Sequence, residues 1–462
     1  MKPVLQPVWL VGRQAWHVFP QDNLQLLTAM GPDVSGPQVA AQMEGLQAQL
    51  ADAALLREPI IVMDDADMAR AVAAARDADA VLLSLTTARM DRATPEAAAL
   101  GLDAAPILDL GVPVLAFSGD KSPMMALYIL PAGVRARRPH LHLCLDATEV
   151  LAALDRIRID KAAARLAASR LIVLGSYTCP ERLPDPALVR QRLGVAMAEV
   201  SSAAFMAQVA AVDAARAQAV AQEWQQGSQP GRESSDAEIA SVARVQVALE
   251  DLMARESAQA VSVGCLEIMY GHGQVPFCWV LAQLRDRGLP AGCEHDAGAT
   301  LTMLMLEYLA ERPAYMGNLV LADPAKNHVA ISHGCSPTRM WGRDRAAKPY
   351  RLVHSHSAPP FSRTLEGGSG VTSYVDYGDV GEPVTIARLG ADLDAIFVAS
   401  GRIVECRDTI CDRTTLTVEV ADARAYVQRA TGNHQVLIYG DFTADLKALA
   451  RRLDLAVLDP AA

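Results

Sequence analysis

Aromatic residues occupy only 5% of the 462 positions. So few rings leave little to build a stacking platform for bases. Nor is there an apolar run near the ~18 residues that a membrane-crossing helix requires. Basic side chains are outnumbered, 42 Lys and Arg against 53 Asp and Glu, for a net charge of −11. Without a Lys/Arg stripe, the phosphate neutralisation behind most nucleic-acid affinity is missing. The short cluster Arg135, Arg137 and Arg138 reads as a solvated loop. The eight cysteines never fall as CxxC. That spacing points to reduced thiols in a cytoplasmic protein rather than to a disulfide framework or a thiolate zinc site. The first residues lack the charged-then-apolar order of a secretion signal, and no GxGxxG follows any strand-like run. The expectation is a cytoplasmic protein that binds neither nucleic acid nor membrane.

What is present is an alternation of short apolar runs and Ala-rich helical stretches. Val8–Val11, Ile60–Met63, Ala80–Leu85 and Val112–Ser118 read as strands, and Ala66–Asp77 as a helix. Strands separated by helices imply a doubly wound parallel sheet. A second α/β unit begins near Arg170, with a strand at Leu171–Gly175, a helix at Asp185–Gly194, a long helix over Glu199–Gln225, a polar break at residues 225–235, a helix over Asp236–Ser257 and a strand at Ala260–Leu266. Beyond about residue 315, short β-type runs alternate with Gly-, Asp- and Pro-rich turns, the texture of an antiparallel sheet or small barrel. The fold expected is α/β: two N-terminal parallel-sheet domains, residues 1–167 and 168–315, then a β-rich, barrel-like domain, residues 316–462.

Chemistry-bearing residues concentrate late in the chain, where seven of the ten histidines lie between residues 272 and 434. Glu267 follows an apolar strand, and the carboxyl ends of strands are where open α/β sheets bind ligands. In Cys293-Glu294-His295-Asp296, two acids and an imidazole crowd together, which is costly unless a cation or proton offsets them. Asp296 also has a plain structural role as a helix N-cap. His434, after Gly432 and Asn433, precedes an apolar strand; His333, His354 and His356 share its ambiguity between ligand and loop residue. Glu267, Asp296 and His434 together offer two carboxylates and an imidazole, a set that suits a divalent ion such as Mn²⁺, with Mg²⁺ or Co²⁺ as alternatives.

Three blocks, in order, carry a family resemblance. VGCLEIMYGHGQVPFCWVLAQLRDRGLPAGCEHDAGATLTMLMLEYLAERPAYMGNL, then ISHGCSP, then GNHQVLIYGDFTADLKALARRLDLAV resemble the core of the L-fucose isomerase / L-arabinose isomerase superfamily, in its fucose-isomerase-like branch. The resemblance covers roughly residues 260–460. It implies metal ligands at Glu267, Asp296 and His434, Mn²⁺ as cofactor, and aldose–ketose interconversion of a small sugar such as a deoxyhexose or pentose. It further implies sugar contacts at Asn433 and at His333 or Ser332, and assembly as a homo-trimer or homo-hexamer. On that reading Glu267 and Asp296 share the acid–base work between C1 and C2, and His434 is a ligand only. Two other readings compete. One is an epimerase or lyase acting on an anionic sugar derivative, for which Arg339, Arg343 and Arg363 are candidate anion contacts. The other is a non-catalytic sugar binder. A thiol enzyme using Cys265 or Cys293 is disfavoured, because adjacent acids raise a thiol pKa.

Overall fold

The computed structural model describes residues 2–10, 37–62, 64–84, 104–117, 130, 132–175, 183–355, 368–409 and 413–462. His356, Arg363, Cys179 and Cys411 lie outside the described residues, as do the ends of several predicted strands. The chain divides into two compact units, Met1–Arg158 and Ile159–Ala462. Among the described residues, no helix is long and apolar enough to cross a membrane.

The first unit is built on a parallel sheet of β1 (Val4–Leu10), β2 (Leu55–Leu56), β3 (Ile60–Val62), β4 (Ala80–Ser84), β5 (Val114–Phe117) and β6 (Leu141–Cys144), in the order β2-β1-β4-β5-β6 with β3 also paired to β1. Its strands are apolar on both faces. Val81 and Leu83 belong to one core cluster, and Ala80 and Leu82 to another. Successive side chains point to opposite faces, so a strand apolar at every position is covered on both, as in parallel α/β sheets.

The second unit begins with a parallel sheet of β7 (Arg170–Leu174), β8 (Ala196–Val200), β9 (Ala260–Val263) and β10 (Ala291–Gly292), ordered β10-β9-β7-β8. The chain leaves β7 for β8 on one side and returns for β9 on the other. The gap between the carboxyl ends of β7 and β9 is therefore the sheet's switch point, the usual place for a ligand crevice. The single long helix expected over residues 199–225 is instead β8, then helices Ser202–Ala211 and Ala214–Gly227. Ser201 and Asp213 each accept a backbone N–H at a helix start, and such caps override the continuous Ala-rich composition. Helix Asp236–Arg255 opens with a capping box between Ser235 and Glu238, which ends the polar break.

The β-rich part is a closed antiparallel barrel. Strands β11 (Tyr315–Asp323), β12 (His328–Ser332), β15 (Pro383–Leu389), β16 (Ala395–Thr409), β17 (Arg413–Val420) and β18 (His434–Tyr439) run in the order β15-β18-β11-β12-β17-β16, and β16 pairs back to β15. Strands β13 (Tyr350–Ser355) and β14 (Ser369–Val375) form a separate antiparallel pair, and β19 (Ala456–Leu458) joins β16 in parallel. Tyr315, Ile331, Phe397, Leu416 and Leu437 share one buried cluster of this region. The buried helix Ala297–Ala310 belongs to the core shared with the parallel sheet.

Candidate metal centre

Strand register brings two of the histidines to one end of the barrel. On β11, Asn318 pairs with Ser332 of β12 and with His434 of β18. His333 follows directly on Ser332, so both imidazoles emerge beside the same residue of the strand between them. Their ring centroids are 5.7 Å apart, and both side chains are buried.

Glu294 meets them from the turn between β10 and helix Ala297–Ala310. Glu294 and His295 are consecutive non-glycine residues with φ of 52° and 59°. Left-handed backbone costs an ordinary residue roughly 1–2 kcal/mol, and clustered outliers of this kind concentrate at functional sites. One donor atom each from Glu294, His333 and His434 lie within 4.8 Å of one another.

Asp296, two residues on, faces the other way and is fully buried. Its Oδ1 accepts the Ala299 amide at 2.8 Å as an N-cap, and its Oδ2 accepts Arg388 Nη1 and His434 Nδ1, each at 2.9 Å. Burial opposes its charge, but the hydrogen bond with His434 and the charge of Arg388 outweigh it and hold its carboxyl at about 2. An ionised Asp296 can only accept, so His434 carries its proton on Nδ1. Burial lowers the His434 pKa against the pull of Asp296 and Glu294, which keeps the ring neutral. Its Nε2 is thus a bare lone pair, buried without a hydrogen-bond partner and 3.7 Å from a Glu294 oxygen. A lone pair facing a carboxylate is repulsive unless a cation lies between them. An imidazole oriented by a carboxylate behind it is the usual support of a metal-bound histidine.

Arg388, on β15, also donates to the His434 carbonyl at 3.1 Å. Gly432 makes room for it, since a Cβ there would lie 2.2 Å from Arg388 Nε. This is a packing reason for the glycine two residues before His434.

The structure therefore gathers a different triplet from the one expected. His434 is in it. Asp296 stands behind His434, its oxygens accepting from Ala299, Arg388 and His434. Glu267 lies at the switch point, in the first turn of helix Cys265–His272, a helix the sequence reading missed. Its Oε1 accepts the Ser202 hydroxyl at 2.5 Å, and Ser202 also meets His272 Nε2 at 3.0 Å. Gly175, after β7, permits this placement, since a Cβ there would lie 2.8 Å from Glu267 Oε2. Neither Glu267 nor Asp296 belongs to a potential metal-binding group among the described residues. Ser332 is bonded to Thr415 Oγ1 at 2.6 Å, inside the barrel wall. Asn433 is exposed and donates to Asn318 Oδ1 at 2.6 Å. Of the suggested sugar contacts, only His333 reaches the cluster.

Glu294 and His333 border a cavity of about 50 Å³, together with Cys265, Met269, Phe277, Cys278, Cys293 and Arg413. The two described arginines expected to meet an anion are engaged elsewhere: Arg343 pairs with Glu307, and Arg339 donates to the carbonyls of Arg343 and Arg345. Among the described residues, Arg413 is the cation bordering the cavity, and Glu233 and Asp408 both pair with it. Glu294, which the sequence reading did not select, left one trace there: it was the second acid of a crowded turn after the N-cap role had absorbed the first.

No family model matches the chain. It is 24% identical over 233 residues to proteins named sulfoquinovose isomerase from Priestia aryabhattai and Priestia megaterium, covering 49% of this chain and 49% of each relative. The sulfoquinovose isomerase of Alkalicoccus urumqiensis is 21% identical over 233 residues, 48% of this chain and 49% of the relative. The chain spans about half the length of the curated relatives it matches.

Proposed function

We propose that this chain is a metal-dependent sugar isomerase interconverting an aldose and a ketose, with Glu294, His333 and His434 as the protein ligands of a divalent ion. The observation that carries this reading is the buried His434, whose Nε2 has no hydrogen-bond partner and lies 3.7 Å from a Glu294 oxygen while Asp296 holds its Nδ1. The names of the relatives supply the reaction class, and the fold agrees with the resemblance read from residues 260–460. One carboxylate with imidazoles is a mixed oxygen and nitrogen set, suited to Mn²⁺ or Co²⁺ with positions left for substrate oxygens.

A dication held there would polarise a sugar's carbonyl and adjacent hydroxyl, lowering the barrier to removing the hydrogen on the neighbouring carbon. The chain's own part is to hold and move protons. Asp296 fixes the His434 tautomer and stays ionised throughout. Glu267 is the carboxylate we assign to carry the proton between C1 and C2. The Ser202 hydroxyl on its Oε1, with His272 beyond, provides a route by which that proton can exchange. Assembly as a homo-trimer or homo-hexamer belongs to the same proposal and is read by sedimentation.

The substrate proposed is a sugar carrying an anionic group such as a sulfonate, after the relatives' names. With Arg413 already paired twice, a neutral deoxyhexose or pentose is the second candidate. The test is metal-stripped protein assayed with and without Mn²⁺ or Co²⁺ on sulfoquinovose and on neutral aldoses, following ketose formation. Metal-dependent turnover of a sugar is expected. Tight sugar binding without conversion under any metal would overturn the isomerase in favour of a binding protein.

A further inference from the structure

Of the eight cysteines, Cys265, Cys278 and Cys293 line the same cavity, and Cys335, from a fourth segment, lies beside Cys278 and His333. Cys265 opens the helix after β9, Cys278 opens helix Cys278–Asp286, Cys293 follows β10, and Cys335 lies three residues beyond β12. Cys278, Cys293 and His333 line that cavity together. Cys293 also meets Cys265, with sulfurs 3.2 Å apart, well beyond the about 2.05 Å of a disulfide. Donor atoms of Cys278, His333 and Cys335 lie within 4.8 Å of one another. His333 Nδ1 takes a long, 3.3 Å bond from the Cys335 amide, and its Nε2 is buried without a hydrogen-bond partner.

From these positions we infer a second, thiolate-rich metal site, made of Cys278, His333 and Cys335 with Cys293 as fourth ligand. It would take a soft or borderline ion such as Zn²⁺ rather than the harder ion of the carboxylate set. Three sulfurs and one imidazole are a common tetrahedral zinc set. Zn–S bonds of about 2.3 Å put tetrahedral sulfurs roughly 3.8 Å apart, so donor atoms already within 4.8 Å of one another need only small side-chain shifts to close on an ion. Thiolates favour Zn²⁺ or Cu⁺ over Mn²⁺, which prefers oxygen. A cavity of about 50 Å³ has room for an ion with little water. Because His333 belongs to both sets, the two ions compete for it, and Zn²⁺ at the thiols would withdraw a ligand from the proposed isomerase centre. That competition rests on the reading above; the thiolate site itself does not.

The experiment uses reduced, metal-stripped protein titrated with Cd²⁺, watching the near-ultraviolet thiolate-to-metal charge-transfer band. A band saturating at one ion per chain is expected. In the double variant Cys278→Ser/Cys335→Ser it should vanish or need at least tenfold more Cd²⁺. Glu294→Gln and Cys265→Ser should keep it. X-ray absorption of the Zn²⁺-loaded wild-type chain should show two or three sulfurs at about 2.3 Å, a readout independent of whether the double variant folds. Absence of the band, its persistence in a folded double variant, or a zinc shell without sulfur would overturn the site. If the protein isomerises no sugar but gives the band, the functional reading fails and the thiolate site stands.

Discussion

The parallel sheet and the barrel of Ile159–Ala462 deliver their polar side chains by different means. At the sheet, Glu267 is placed by a turn: a strand ends, a helix starts, and the carboxylate fits because Gly175 leaves the space. At the barrel, His333 and His434 are placed by register, through Asn318 on the strand between them. Register couples residues about a hundred positions apart and is held by a row of hydrogen bonds. A turn depends on a few backbone angles and on one neighbour's lack of a Cβ. Register is thus suited to holding the two imidazoles, and the turns at the sheet's carboxyl end to presenting carboxylates, Glu267 after β9 and Glu294 after β10.

Several substitutions would sharpen or break this division of labour. Glu294→Gln should have the largest effect, losing ion binding and turnover together; metal content after dialysis and kcat measure both. Glu267→Gln should lower kcat by roughly 10²–10⁴-fold, the usual worth of a general base, with ion affinity unchanged. If ion affinity falls as well, Glu267 is a ligand and not a proton carrier alone.

Asp296→Asn should weaken ion binding by about 10–100-fold, the typical loss when a carboxylate behind a metal-bound histidine is removed. It also has a defined pH signature. A carboxyl depressed from an ordinary ~3.9 to about 2 contributes stability above about pH 4 that is lost as pH falls towards 2. The wild-type advantage over the variant, on the order of 2–3 kcal/mol from this shift alone, should shrink over that window in denaturant titrations.

The smallest effects form a matched pair. Gly432→Ala crowds Arg388 and should lower ion affinity several-fold while sparing proton transfer. Gly175→Ala crowds Glu267 and should do the reverse, reducing kcat with ion affinity kept. Isothermal titration with Mn²⁺ beside steady-state kinetics distinguishes them.

Much of the architecture was legible in the residues. Apolar runs bounded by glycine marked the parallel strands, the polar break at 225–235 marked a helix start, and turn-rich β texture marked the barrel. The sequence also drew attention to the crowded turn at 293–296 and to His333 and His434. It selected Asp296 where the structure turns Glu294 to the cavity, because both are carboxylates two positions apart and nothing local tells which one faces it. The left-handed turn at Glu294 and His295 points one inward, while capping of helix Ala297–Ala310 commits the other to the backbone and Arg388. The cysteines show the same limit. Linear spacing reports only motifs that close within one turn, while the fold brings Cys278 and Cys335 together from segments far apart.

Taken alone, the sequence determined the elements and where they change character, because hydrophobic period, caps and glycines act over a few residues. Which side chains face one another was decided by the tertiary structure. Strand register, a buried ion pair and a missing Cβ join segments more than a hundred residues apart, and those energies exist only once the chain has closed on itself.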